Sequence, residues 1–183
     1  MKHVLSILLL ATFLVACNTS DNANQELEQD YFFNLEDYFE TEIQRLDRAD
    51  APVTKILSIN GLSEEVPTDT LRFSKELSIF KKSDINRLAW IDKYEGDTTR
   101  TVNGEIKRII YSAIRKDLRT QKIVIDFEQG EPSKIAIRNE TDSPALTARQ
   151  MLIYQPDSGF SISQEQQVRA LEKKFLKIEV KYQ

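Results

Sequence analysis

The chain has 183 residues, with 25 basic and 29 acidic side chains, a single histidine and a single cysteine, and its formal net charge is −4. The histidine is His3 and the cysteine is Cys17, so residues 18–183 contain neither. This composition excludes Ser–His–Asp and Cys–His catalysis and zinc sites made of Cys and His from that part of the chain. The net acidity also argues against nucleic-acid binding.

The N-terminus reads as an export signal. Lys2 and His3 precede a largely apolar run from Val4 to Ala16, and a charged start followed by a short apolar stretch is typical of secretory signals. The run is too short for a membrane span, which needs about 20 apolar residues. An ordinary signal cut before Cys17 is also disfavoured, because Leu14 is too large for the position three residues before that cut.

The run Leu14-Val15-Ala16-Cys17 resembles the lipobox of bacterial lipoproteins. In that family the cysteine thiol takes a diacylglycerol, a peptidase cuts before the cysteine, and the new amino group is usually acylated. The resemblance implies that Cys17 is lipidated and anchors the chain in a membrane of the bacterial cell envelope. Asn18 stands where Asp often signals retention in the inner membrane, which favours the outer membrane and leaves the leaflet open.

These observations predict three segments. Residues 1–16 are a signal peptide that is removed, residues 17–25 are a lipidated tether, and residues 26–183 are a single α+β domain, in agreement with the usual domain size. Without Lys2 the chain keeps 24 of its 25 basic residues against 29 acidic ones, a net charge of −5.

Helical periodicity dominates the first part of the domain. Apolar residues spaced three and four apart predict an amphipathic helix over Glu26–Ala49, which Pro52 ends. A second helix is expected from Thr68 or Asp69, either of which is suited to cap it, to about Lys82. A further helical turn is expected over Ile85–Ala89.

Strand patterns make up the rest. Val53–Ile59 and Leu62–Val66 flank Asn60-Gly61, a strong hairpin signal. Seven more strands are predicted from period-two alternation: Trp90–Glu95, Glu105–Arg115, Gln121–Glu128, Lys134–Asn139, Ala148–Gln155, Gly159–Gln164 and Phe175–Tyr182. Gly96-Asp97 is interpreted as a turn, and residues 164–174 remain open between helix and strand. The fold class is therefore α+β, with N-terminal amphipathic helices followed by a curved antiparallel β-meander and a half-barrel as one form of it.

Two predicted strands are apolar on both sides, which single-faced packing does not explain. Their residues are Ile109, Ile110 and Tyr111 in one strand and Met151, Leu152 and Ile153 in the other. Helices can cover one face of these strands. The other face then requires either a sheet that curls on itself or a bound molecule.

Candidate binding residues come from two features. Phe33 falls off the apolar face of the first helix, and the alternatives are a binding aromatic or a core residue. A group of cations surrounds one predicted hairpin: Lys107, Arg108, Arg115, Lys116, Arg119 and Lys122. It is interpreted either as a site for an anionic lipid, a glycan or an acidic partner or as a solvated hairpin.

The sequence favours a non-catalytic, lipid-anchored envelope protein that binds a partner or ligand near the outer membrane, with no catalytic residue, metal or cofactor. One alternative is a carrier for a lipid or another apolar ligand. Another alternative is a carboxylate-dependent hydrolase of cell-wall glycan, which needs two acidic side chains about 5–10 Å apart in one cleft.

Overall fold

A computed structural model describes residues 31–50, 52–68 and 71–183. The expected signal peptide, Cys17, the tether, the first residues of the expected helix and the alternative cap Asp69 lie outside the described residues. The helices are α1 (Leu35–Ala49), α2 (Phe73–Glu76) and α3 (Ser78–Lys81), with a 3₁₀ helix at Leu88–Lys93. The strands are β1 (Val53–Ile59), β2 (Leu62–Val66), β3 (Tyr94–Arg100), β4 (Ile106–Ala113), β5 (Thr120–Glu128), β6 (Glu131–Asp142), β7 (Leu146–Gln155), β8 (Gly159–Val168) and β9 (Lys174–Tyr182).

Helix α1 begins later than its periodicity predicted. Residues 31–34 are not helical, because Asn34 has an extended backbone and its side chain accepts the Asp37 N–H at 2.9 Å, which caps the helix. The carboxylate of Asp84 accepts the N–H of Leu35 at 2.7 Å, and so satisfies another free donor of the first turn. The cap from a distant loop thus sets the start of the helix.

Two other local predictions are wrong. The expected second helix starts only at Phe73 and is interrupted at Leu77. The strand expected at Trp90–Glu95 is a 3₁₀ helix up to Lys93, because a short apolar run does not by itself distinguish strand from helix.

The interpretation of Gly96-Asp97 as a turn is also wrong, because both residues lie within β3. Gly96 pairs with Tyr111 of β4, and a Cβ at Gly96 would lie 3.4 Å from the Tyr111 ring. The missing side chain therefore makes room for a neighbouring aromatic ring in the sheet. The open segment 164–174 is strand up to Val168 and again from Lys174.

The nine strands found among the described residues form one antiparallel sheet in the order β2-β1-β9-β8-β7-β6-β5-β4-β3. The α+β class with an antiparallel meander is confirmed. Strands β3 to β9 follow one another, and the β1–β2 hairpin joins the sheet beside β9. Because β2 and β3 are unpaired edges at opposite ends of this order, the sheet is not closed into a barrel.

One face of the sheet packs on the helices. A row of residues in register across five strands is fully or almost fully buried: Ile125, Ile135, Tyr154, Phe160 and Val180. Phe39 of α1 contacts Tyr154 with ring centroids 5.0 Å apart, and Phe80 of α3 lies 4.9 Å from Phe39. These rings fill the space between the helices and the sheet. Their packing removes a large apolar area from contact with water.

A buried carboxylate also ties α1 to the sheet. Glu42 lies inside the apolar face of α1 and is only 8 % exposed. Arg45 donates to both of its oxygens at 2.9 Å, and the buried Tyr154 hydroxyl donates to Oε2. Burial is the main cause that raises the pKa of Tyr154 far above its usual value, and Tyr182 and Glu42 add to it. Tyr154 therefore stays protonated and remains a donor to the charged carboxylate.

Candidate functional site

The face of the sheet opposite the helices, which we call the open face, carries an apolar row. Ile110, Val124, Ala136 and Ile153 are in register on β4, β5, β6 and β7. All four are half-buried. The residues beside Val124, Ala136 and Ile153 that point to the helices are buried, whereas those beside Ile110 on β4 are half-buried. The strands that the sequence marks as apolar on both sides therefore have one face on the core and one on the open face. The described helices cover only the core side.

We call the end of the sheet where the β5–β6 and β7–β8 turns lie the Pro156 end. At this end the open face forms a groove. Two adjoining depressions of about 510 and 440 Å³ share Gln155, Asp157 and Ser158 and together form this polar groove. The first is lined further by residues of β4, β5 and β6: Lys107, Arg108, Asp126, Phe127, Glu128, Ser133 and Lys134. The second extends from β7 across β8 and β9: Ile153, Gly159, Phe160, Ser161, Glu179, Val180, Lys181 and Tyr182.

Charges of both signs line the polar groove in equal number. The cations are Lys107, Arg108, Lys134 and Lys181, and the anions are Asp126, Glu128, Asp157 and Glu179. Arg108 and Asp126 form an ion pair at 2.5 Å, and the hydrogen bond that Arg108 donates to Asp126 is the main cause that raises the pKa of Arg108. The arginine of this pair is solvent-exposed, so screening by water keeps the contribution of the pair to stability small.

Several polar side chains in the groove have unused hydrogen-bonding capacity. Among the described residues, no partner is found for the side chains of Gln155, Ser158, Ser161 or Lys134. They offer an amide, two hydroxyls and an ammonium group at the margin of an apolar row. Such a mixture can orient an extended polar chain while the apolar row supplies contact area.

Three of the predicted site residues lie at or beside this groove. Lys107 and Arg108 line it, and an irregularity in the β3–β4 register at this point leaves Lys107 between the paired residues Ile106 and Arg108. Phe33 packs behind it, with its ring centroid 6.2 Å from that of Phe127. Phe33 is half-buried against the core, so it supports the groove rather than presenting a free aromatic surface.

The other predicted cations lie toward the opposite end of the strands. Arg115 is paired with Asp117 at 2.7 Å, and Arg119 donates to the Lys82 carbonyl at 3.2 Å. Lys116 is exposed in the same connection. The structure therefore divides the cations of the predicted hairpin into two groups. One group lies near the start of β4 and the other follows its end, so the length of the strand separates them.

Lys122 belongs to that second group but lies on the open face, in register with Ser112 of β4. Ser112 is four residues from Arg108 along β4, which is about 13 Å. Sequence reasoning missed the groove residues that come from β8, β9 and the β7–β8 turn. Its one available signal was the turn sequence Pro156-Asp157-Ser158-Gly159, which marks a loop without showing what lies beside it.

Two kinds of structure are absent from the described residues. They contain no group of three or more His, Cys, Asp and Glu side chains that could hold a metal ion. In the same part of the chain, no helix is both long and apolar enough to cross a membrane. Comparison with protein-family models, with curated proteins and with solved structures finds no match to this chain.

Proposed function

We propose that this chain is a non-catalytic lipoprotein of the bacterial cell envelope that is anchored through Cys17. It binds a partner near the outer membrane through the open face. The observation that carries the proposal is the apolar row of the open face leading into the polar groove. The resemblance of residues 14–17 to a lipobox supports the anchor. The occupant we propose for the groove is an extended segment of a protein partner.

The anchor rests on the energetics of acyl chains in a bilayer. One myristoyl chain holds a protein only weakly, and each buried methylene contributes about 0.8 kcal/mol. Two or three chains on Cys17 would make the attachment effectively permanent. A protein held in this way meets its partners at a membrane surface. A binding face without catalytic groups can hold a partner there.

A protein partner is favoured over an apolar ligand by the packing of the core. A lipid carrier needs a cavity between the helices and the sheet, but Phe39, Phe80 and Tyr154 occupy that space and contact one another. The polar groove, in contrast, is open and carries equal numbers of cations and anions. An extended peptide offers backbone donors and acceptors together with side chains of both charges, and it matches such a surface.

The anchor is tested with the full-length chain expressed in bacteria. Cys17→Ser is expected to release the protein from membranes that are washed with carbonate, whereas Ser20→Ala leaves it bound. Retention of the Cys17→Ser variant after the wash would remove the anchor from the proposal.

The groove is tested by site-specific photocrosslinking in cells. A photoreactive residue at Gln155 or Ser161 is expected to give one discrete protein adduct, and the same residue at the exposed position Gln44 of α1 none. Lys134→Glu inside the groove should abolish the adduct, whereas Lys122→Glu, nearer the other end of the open face, should retain it. Equal adduct yields at Gln155, Ser161 and Gln44 would refute the groove as a binding surface. So would yields that neither Lys134→Glu nor Lys122→Glu changes.

A further inference from the structure

Exposed apolar side chains gather at the end of the sheet opposite the polar groove, where the β1–β2 and β8–β9 turns lie; we call it the Asn60 end. Leu62 is 82 % exposed, Leu171 61 % and Phe175 50 %, and Ile59 is exposed beside them. We call these four residues the apolar tip. A soluble surface does not normally place so many large apolar side chains on two neighbouring turns.

The two turns that carry the apolar tip are joined to each other. The Asn60 N–H donates to the Phe175 carbonyl at 2.9 Å, and the Phe175 N–H donates to the Asn60 side-chain oxygen at 2.9 Å. Asn60 and Gly61 both have positive φ, at 48° and 87°, as a tight hairpin turn requires. This turn projects Leu62 from a fixed position, so the exposure of the tip is built into the backbone.

Basic side chains flank the tip. The Lys173 ammonium lies 5.9 Å from the centre of the Phe175 ring and 2.6 Å from Glu165. Arg169 is exposed in the β8–β9 connection and Lys174 at the first position of β9, and no partner for their side chains is found among the described residues. Cations around exposed apolar groups are typical of protein surfaces that enter the headgroup region of a bilayer.

We propose that the apolar tip inserts into the interface of the phospholipid bilayer to which the chain is anchored. The proposal rests on the proposed anchor in one respect, which is that the bilayer is always within reach. The thirteen residues 18–30 between Cys17 and Tyr31 span at most about 47 Å when fully extended. The bilayer is therefore the apolar phase that the tip meets at the highest effective concentration.

Insertion of the tip would also orient the polar groove. The tip and the groove lie at opposite ends of the strands, and the ten residues of β7 span about 33 Å. With the tip in the headgroup region, the groove would face away from the bilayer at about that distance. The tip and the tether would then hold the open face upright and accessible to a partner.

The test uses the chain from residue 17 onward with Cys17→Ser, which keeps every described residue and has no acyl anchor. Flotation with vesicles of phosphatidylethanolamine and phosphatidylglycerol in a 3:1 ratio should carry this protein upward. Leu62→Asp with Phe175→Asp is expected to weaken vesicle binding at least tenfold. The matched control is Leu88→Asp with Val102→Asp, because both residues are exposed apolar side chains away from the tip, and it should bind like the parent.

A second measurement reports the depth of each end. Phe175→Trp should be quenched by vesicles that contain brominated lipid, whereas Val102→Trp at the Pro156 end should not. Absence of vesicle binding, or equal losses in the tip and control variants, would overturn the proposal. So would sedimentation as a dimer that only the tip substitutions abolish, because a second copy would then cover the tip. The Cys17→Ser protein used here has no acyl anchor. A negative result for the tip is therefore distinguishable from a negative result in the Cys17 fractionation test.

Discussion

The hydrogen bond between Tyr154 and Glu42 gives the sharpest prediction about how α1 is held on the sheet. Tyr154→Phe removes only a hydroxyl from a side chain that is fully buried, so it changes the volume of the core very little. Glu42 keeps both hydrogen bonds from Arg45 but loses its third donor. A hydrogen bond to a charged group contributes about 1.5–3 kcal/mol, and we expect the free energy of unfolding to fall by that amount.

The expected change is large enough for urea and thermal unfolding to measure. In a domain of this size, 1 kcal/mol shifts Tm by about 2–4 °C, so Tyr154→Phe should lower Tm by about 3–12 °C. The matched control is Tyr31→Phe, because the Tyr31 ring is exposed and its substitution should stay within about 0.5 kcal/mol of the parent.

A double-mutant cycle separates the pair from general effects of burial. If the Tyr154 hydroxyl acts through Glu42, then Tyr154→Phe should cost much less in a Glu42→Gln background, and the coupling energy should exceed about 0.5 kcal/mol. A cost for Tyr154→Phe no larger than that of Tyr31→Phe, or strictly additive losses, would refute this account of the contact.

Three further predictions concern the core and the turns. Gly159→Ala should destabilise the sheet strongly, because a Cβ there would lie 1.9 Å from the Val180 carbonyl oxygen at a φ of +126°. Gly104→Ala is the control for backbone strain alone, because Gly104 has a φ of +86° and open space around it. Equal losses of unfolding free energy in urea for the two variants would contradict the steric account. Phe39→Ala should cost about 3–5 kcal/mol in the same assay, because it empties the centre of the helix–sheet core, and a loss below about 1 kcal/mol would contradict that placement. Stability should fall as pH rises from about 10 to 12, because burial raises the pKa of Tyr182 to about 12 while the unfolded chain loses the same proton near 10; Tyr182→Phe should make this decline shallower, and an unchanged slope would count against it.

Much of the fold follows from local periodicity. The alternation in residues 121–128 and 175–182 predicts strands that the structure contains, because one buried face enforces a period of two. The apolar spacing of α1 likewise marks the side that reaches the core. Local periodicity does not predict that Gly96 lies within a strand, because its role depends on the Tyr111 ring in the adjacent strand.

The candidate surfaces depend on contacts that no local pattern contains. The polar groove combines Arg108 with Gln155 and Lys181, and the apolar tip combines Leu62 with Phe175, because β1 pairs with the last strand of the chain. The sequence alone determined the α+β class, the lipobox resemblance and the absence of histidine and cysteine after residue 17. Only the tertiary structure decided which strands are neighbours, because pairing over long sequence distances reflects the packing of the whole chain. It also showed that the cations of one predicted hairpin lie at opposite ends of the sheet.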